Sequence, residues 1–244
     1  MIQQSSRSKK SKMSKTLSNK NNLQILYEDN HIIIVNKRPG DIVQGDKTGD
    51  APLSEVVKEY IAKKYNKPGA AYLGVVHRLD RPTSGIVVFA RTSKALSRLN
   101  QLFANKEVQK TYWAVVKNQP PKAHDTLVHW LKRNPKQNKS YAHKNEVPNS
   151  KKASLDYRMI KKLDHYYLLE IELHTGRHHQ IRSQLSSIGC HIKGDLKYGA
   201  DRSNKDGSIH LHARRLSFIH PVKKEPLIIV APPPPDPIWD NCLL

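Results

Sequence analysis

What most constrains the fold is a series of short β-branched and aromatic runs spread over most of the chain. HIIIVNK at 31–37, GIVVFA at 85–90, KTYWAVV at 110–116, YYLLEIELH at 166–174, SIHLHARRLSFIHP at 208–221 and PLIIV at 226–230 each read as a strand closed by turn residues. LQILYEDNHIIIVNK adds a partner strand before an Asp29-Asn30 turn. Helical spacing is confined to three stretches. Leu53, Val56, Val57, Tyr60 and Ile61 follow Asp50 as a cap. Leu96, Leu99, Leu102 and Phe103 follow a cap at Thr92 or Ser93. Ile181, Leu185 and Ile188 share a face that Gly189 ends, with Arg177 near the helix start and Arg182 in its body. Without an internal repeat, this pattern predicts an α+β chain in which a mixed, mainly antiparallel sheet is flanked by helices.

The ends differ in composition from this body. Residues 1–22 carry six cations and no acid over their first twenty positions, and they read as a disordered basic arm. Residues 23–231 form the folded domain. Residues 232–244 form a proline-rich tail, expected to be a stiff terminal spacer. From Lys132 to Lys152 the chain is polar and basic, with prolines at 135 and 148, and is expected to be a flexible crossing loop, either solvated or touching RNA. Over the 244 residues, 42 Lys plus Arg stand against 21 Asp plus Glu, a net charge of +21. Such an excess attracts polyphosphate, because each neutralised phosphate releases counterions. No apolar stretch approaches a membrane span, and the first fifteen residues lack a signal-peptide core. RNA or DNA is the expected partner. Two cysteines, Cys190 and Cys242, fit neither a disulfide framework nor metal spacing, which places the protein in the cytoplasm.

HRLDRPTSG, residues 77–85, sets one carboxylate, Asp80, between Arg78 and Arg81. Taken alone this is equally a salt bridge or a reactive acid. Arg78 and Arg81 could bind nucleic-acid phosphates or pair with surface acids. His77 could hold a substrate or simply pack. Histidines 178, 179, 191, 210 and 212 raise a metal question, but no cysteine or carboxylate joins them at ligand spacing, so no metal is expected.

With Arg38-Pro39-Gly40 after one strand, the tyrosine of KTYWAVV, then GRHHQIR and GDLKYG in this order, the chain resembles the RluA-type family of RNA pseudouridine synthases from Leu23 to Ala231. The resemblance implies the pseudouridine synthase fold and a cofactor-free isomerase, which detaches uracil from its ribose, turns it, and rejoins it through carbon 5. It implies Asp80 as the catalytic aspartate, Tyr112 as the active-site tyrosine, Arg182 as the basic partner of Asp80, and Leu211 as an apolar residue against the base. His77, Arg78, Arg81, Arg177 and His179 lie in the matching motifs as candidates for holding substrate. His178 stands where threonine is usual, Ser183-Gln184 where Val-His is common, and Arg38 where proline is common. The implied substrate is structured rRNA or tRNA, acted on by a monomer without an obligate protein partner. A basic RNA-binding or ribosome-assembly protein that keeps the fold without turnover is the alternative. The accessory N-terminal RNA-binding domain of longer relatives is not expected, which leaves recognition to the core, the arm and the 132–152 segment.

The residue types suit the reaction. An ionised carboxylate beside a sugar can attack carbon 1, take a proton from carbon 2 or stabilise positive charge. A guanidinium keeps such a carboxylate ionised at any working pH. A tyrosine offers a flat face for an extruded base and a hydroxyl for a hydrogen bond.

Overall fold

The computed structural model describes residues 17–45 and 49–244. Of the arm expected over 1–22, residues 1–16 lie outside this range. Within it, Ser18 is buried and donates to the Asp41 carboxylate from its N–H at 2.9 Å and its hydroxyl at 2.6 Å, so residues 18–22 are tied to the domain.

The elements in chain order are β1 (Ile25–Glu28), β2 (Ile32–Lys37), α1 (Leu53–Lys64), β3 (Gly74–Val75), β4 (Ser84–Ala90), α2 (Ser93–Ala104), β5 (Gln109–Val116), β6 (His124–Asn134), β7 (Lys139–His143), β8 (Ser150–Lys162), β9 (Tyr167–Leu173), α3 (Gln180–Ser187), a 3-10 turn (Leu196–Tyr198), β10 (Leu211–Ile219), β11 (Pro226–Val230) and α4 (Pro237–Leu243). All eleven strands form one sheet in the order β1-β2-β4-β10-β5-β9-β8-β6-β7, with β11 added to β10 and β3 to β4. Only β4 with β10 is parallel among the described pairings. The mixed, mainly antiparallel sheet expected from the sequence is therefore present. Among the described residues, no helix is long and apolar enough to cross a membrane.

Why β2 and β4 read as unbroken apolar runs is clear from their surroundings, since both faces are covered. Ile33, Val35, Val87 and Phe89 pack with Leu53, Val57 and Ile61 of α1. Ile32, Ile34, Ile86 and Val88 pack with Ala95 and Leu99 of α2. In the other half, Leu155, Leu169 and Ile171 pack with Ile181 and Leu185 of α3, and Val115 and Leu168 pack with Trp239 of α4. Between the halves, Gly85 on β4 has φ 115°, and a Cβ there would lie 2.4 Å from the Ala213 carbonyl oxygen of β10. Only glycine allows this approach. The last residue of HRLDRPTSG thus joins the two halves of the sheet.

Three expectations are corrected. Lys132–Lys152 is not a flexible loop but the end of β6, all of β7 and the start of β8, with β6 and β8 paired from His124↔Arg158 to Lys132↔Ser150. The tail is not a bare spacer, because Asp236 caps α4 by accepting from the Ile238 N–H at 2.9 Å and Trp239 is buried. Proline at the first helical position after an aspartate favours that start. Asp50 does not cap α1. Pro52 takes that position, and Asp50 pairs with Arg81 instead. Thr92 does cap α2, accepting from the Ala95 N–H at 3.2 Å.

His212 on β10 is fully buried, with Nδ1 2.8 Å from the Ser84 hydroxyl and Nε2 3.1 Å from the Ala231 carbonyl. Burial pushes its pKa down to about 4 from 6.5. The unfolded chain takes up this proton near pH 6.5 and the folded chain only near pH 4, so stability is lost as pH falls between those values, by about 3 kcal/mol at most. Melting temperature followed from pH 7.5 to 4.5 should fall less steeply for His212→Gln, although that variant starts lower. Parallel curves would assign the acid sensitivity to other groups.

Candidate active site

The β3–β4 connection delivers Asp80. A turn is closed by the Thr83 N–H donating to the Asp80 carbonyl at 3.0 Å, and the Gly40 N–H donates to the Arg81 carbonyl at 2.8 Å. Beneath it lies Lys37, 1% exposed at the end of β2, whose ammonium donates to the carbonyls of Arg38 at 3.0 Å, Arg81 at 3.1 Å and Thr83 at 2.7 Å. Burial pushes its pKa down to about 7, opposed by the charges of Asp41 and Asp80. All three N–H bonds of the charged form are used, which offsets the cost of burying it.

Arg182, 5% exposed on α3, faces two carboxylates. Its Nε and Nη2 donate to Asp195 at 2.7 and 2.8 Å in a fork, and Nη1 donates to Asp80 Oδ2 at 2.9 Å. Burial alone would lower its pKa; the Asp195 hydrogen bonds and charge, with those of Asp80, raise it above the ordinary value. The guanidinium also lies 5.0 Å from the centre of the Tyr198 ring. Asp195 is buried, whereas the Asp80 side chain is 27% exposed. Asp80 Oδ1 accepts no hydrogen bond from the described residues, so one oxygen is fixed by Arg182 and the other is available.

Around this carboxylate the surface is apolar on one side. Tyr112 on β5, 9% exposed, and Leu211 at the start of β10, 4% exposed, belong to one cluster with Ile181, Leu185 and Leu79, the neighbour of Asp80. Burial and then the charge of Asp80 push the Tyr112 hydroxyl up, so it keeps its proton. On the other side stands His179, with left-handed backbone (φ 52°), its Nδ1 3.0 Å from the Tyr198 hydroxyl and its Nε2 3.6 Å from Asp80 Oδ2. Burial pushes His179 down to about 3 despite the pull of Asp80, so the ring is neutral. The site is thus an anionic oxygen at the rim of an apolar, aromatic floor, with its counter-charge buried behind it.

The model of the RNA pseudouridylate synthase family matches residues 31–187, which include Asp80, Tyr112 and Arg182. The chain belongs to this family. It is 33% identical over 225 residues to ribosomal large subunit pseudouridine synthase D of Zymomonas mobilis, covering 88% of this chain and 70% of the relative. It is 31% identical over 240 residues to tRNA pseudouridine synthase C of Vibrio cholerae, covering 91% and 94%. The chain spans about two thirds of the length of several other curated relatives. Among solved structures, the human RNA pseudouridylate synthase domain containing 4 protein superposes with a TM-score of 0.74 at 23% identity, covering 90% of this chain and 91% of that one, which establishes the fold. The reaction class of the family, isomerisation of uridine in RNA to pseudouridine, is accordingly that of this synthase.

Within the synthase the expected residues divide. Asp80, Tyr112, Arg182, Leu211 and His179 converge. Arg78 is exposed and makes no hydrogen bond to the described residues. Arg81 is engaged, its Nε donating to the Gly40 carbonyl at 3.1 Å and its guanidinium pairing with Asp50, which is the salt-bridge alternative. His77 is taken up by the interior: its Nε2 accepts the Val88 N–H at 3.0 Å and its ring stacks on Phe103 at 4.9 Å. Arg177 is exposed and donates from Nε to the Lys152 carbonyl at 3.2 Å. Ser183 and Gln184, where the chain departs from the family pattern, are buried. Gln184 Nε2 donates to the Leu127 carbonyl at 3.0 Å, tying α3 to β6. Asp195, Tyr198 and Lys37 were given no roles from the sequence, although GDLKYG and NKRPG contain them. The signal is burial of a charge for Asp195 and Lys37 and of a hydroxyl for Tyr198, which no local pattern reveals.

A cavity of about 950 Å³ is lined by Lys193, Asn204, His210, Asp236 and Trp239 beside α4, and contains none of Asp80, Tyr112 and Arg182. Convergent chemistry locates the site better here than volume does.

Proposed function

We propose that this synthase modifies uridines of structured RNA, rRNA or tRNA, with Asp80 as the catalytic carboxylate. The observation that carries the reading is the Arg182 Nη1 to Asp80 Oδ2 contact of 2.9 Å, which leaves the second carboxylate oxygen open beside Tyr112 and Leu211. A flipped uridine would set its ring against Tyr112 and Leu211 and its ribose at Asp80. The exposed Arg78 suits a flanking phosphate. In the reaction the bond from ribose carbon 1 to uracil nitrogen 1 breaks, the base turns, and carbon 5 bonds to the same sugar carbon. The hydrogen on carbon 5 leaves as a proton and nitrogen 1 gains one. Oxidation state and composition are unchanged, so neither a redox cofactor nor an activated water is required. Asp80 can serve at sugar carbon 1, at carbon 2 or as a charge stabiliser.

The test is tritium release from RNA labelled at uridine carbon 5, run with a chelator present. Release is expected to continue at an undiminished rate. Activity that vanishes with the chelator and returns with zinc would overturn the cofactor-free reading. Carbodiimide mapping of pseudouridines in total RNA, with and without the gene, then identifies the modified site.

A further inference from the structure

The β6–β7 hairpin meets the active site through a clasp whose parts come from distant segments. At its tip, His178 Nδ1 lies 2.9 Å from the Ser140 hydroxyl and Nε2 lies 3.2 Å from Asn138 Oδ1. The His178 ring stacks on His179 with centroids 3.8 Å apart and planes at 19°. Lys197 donates to the Asn138 carbonyl at 3.1 Å, and the Tyr198 hydroxyl accepts the Ser140 N–H at 2.8 Å.

Asn138 Oδ1 can only accept, so His178 Nε2 carries the proton and Nδ1 accepts from Ser140. Both ring nitrogens and one ring face are therefore occupied. A threonine at this position has one hydroxyl and no ring, and could not make this set of contacts. Residues 132–152 carry seven Lys or Arg and one Glu, and Lys132, Arg133 and Lys136 are exposed near the tip. The clasp thus sets a strongly basic hairpin beside the catalytic carboxylate, through His179, which stands in a backbone conformation that non-glycine residues adopt at a cost.

We propose that His178 is a positioning residue that locks the basic β6–β7 hairpin to the Asp80 site through Ser140, Asn138 and the stacked His179, and so makes the hairpin a fixed wall of the RNA cleft. The proposal rests on the reading of Asp80 as the reacting carboxylate. Burial and the charges of Arg133, Arg182 and Lys197 push the His178 pKa down, against Asp80, which keeps the neutral tautomer in place. A fixed wall binds the RNA ground state and transition state alike, so losing the clasp acts on KM.

The experiment compares wild type, His178→Ala, Ser140→Ala and the double variant by amide hydrogen exchange and by tritium-release kinetics. Exchange of hairpin amides 134–141 should rise about tenfold in His178→Ala while β5 and β9 amides keep their protection. KM should rise about tenfold with kcat changed less than threefold, and Ser140→Ala should add little once His178 is gone. A merely structural loss would lower the active fraction, and so kcat, at constant KM. That result, additive effects, or unchanged hairpin exchange would overturn the proposal. Exchange and RNA affinity are also measured in the Asp80→Asn background, where no turnover is needed. If wild type released no tritium from any RNA, those two readouts would still judge the clasp, while the functional reading alone would fail.

Discussion

Asp80→Asn is expected to abolish tritium release, by roughly a thousandfold or more, because a carboxylate acting in the transition state has no substitute in an amide. Affinity for RNA should stay within a few-fold. The amide oxygen can still accept from Arg182 Nη1, now 2.9 Å from Oδ2, so the loop keeps its place on Lys37 and on Arg182. What disappears is the negative charge at the open oxygen. Single-turnover release and filter-binding affinity measured on the same preparation separate these effects. Residual turnover within tenfold of wild type would move the chemistry to another group, with the neutral His179, 3.6 Å from Asp80, as the first candidate.

The pairing of Asp80 with Arg182 was legible in the sequence because HRLDRPTSG and GRHHQIR are contiguous strings, and a family resemblance transfers residue by residue along such strings. The geometry that surrounds the pair was not legible. Asp195 is thirteen residues from Arg182 and meets it only once the 3-10 turn folds back over α3. Lys37 reads as the polar end of a strand, and nothing local announces that the carbonyls of Arg81 and Thr83, from the β3–β4 connection, will join that of Arg38 around it.

The strands of the hairpin arm were missed for a different reason. Leu127, His129 and Leu131 alternate inward on β6 and pair with a β8 that buries Ala153 and Leu155, so one apolar face suffices while polar residues fill the other. Dense charge and two prolines masked that alternation. At the C-terminus the run of prolines dominated the reading, although Asp236-Pro237 is a helix start by position. By contrast β2 and β4 declared themselves, since strands covered on both faces must be apolar at successive positions.

Arg182→Ala is expected to be the most destabilising single change in the site, by roughly 3 to 5 kcal/mol, because it strands a buried carboxylate. The larger share falls on Asp195, which is 2% exposed, while Asp80 at 27% can recover solvation from water. This separates stability from activity. In Arg182→Ala with Asp195→Asn the buried charge is gone with its partner, so the double variant should regain about 2 to 3 kcal/mol relative to Arg182→Ala alone. Turnover should remain lost in both, because Asp80 still lacks the cation that holds Oδ2 and orients the open oxygen. Arg182→Lys should fall between, since an ammonium keeps the charge but cannot reproduce the fork at 2.7 and 2.8 Å and also reach Asp80. Urea unfolding of the four proteins, with tritium release in parallel, measures both quantities. If the double variant recovered activity along with stability, Arg182 would serve the fold alone, and the open carboxylate would need no counter-charge to react.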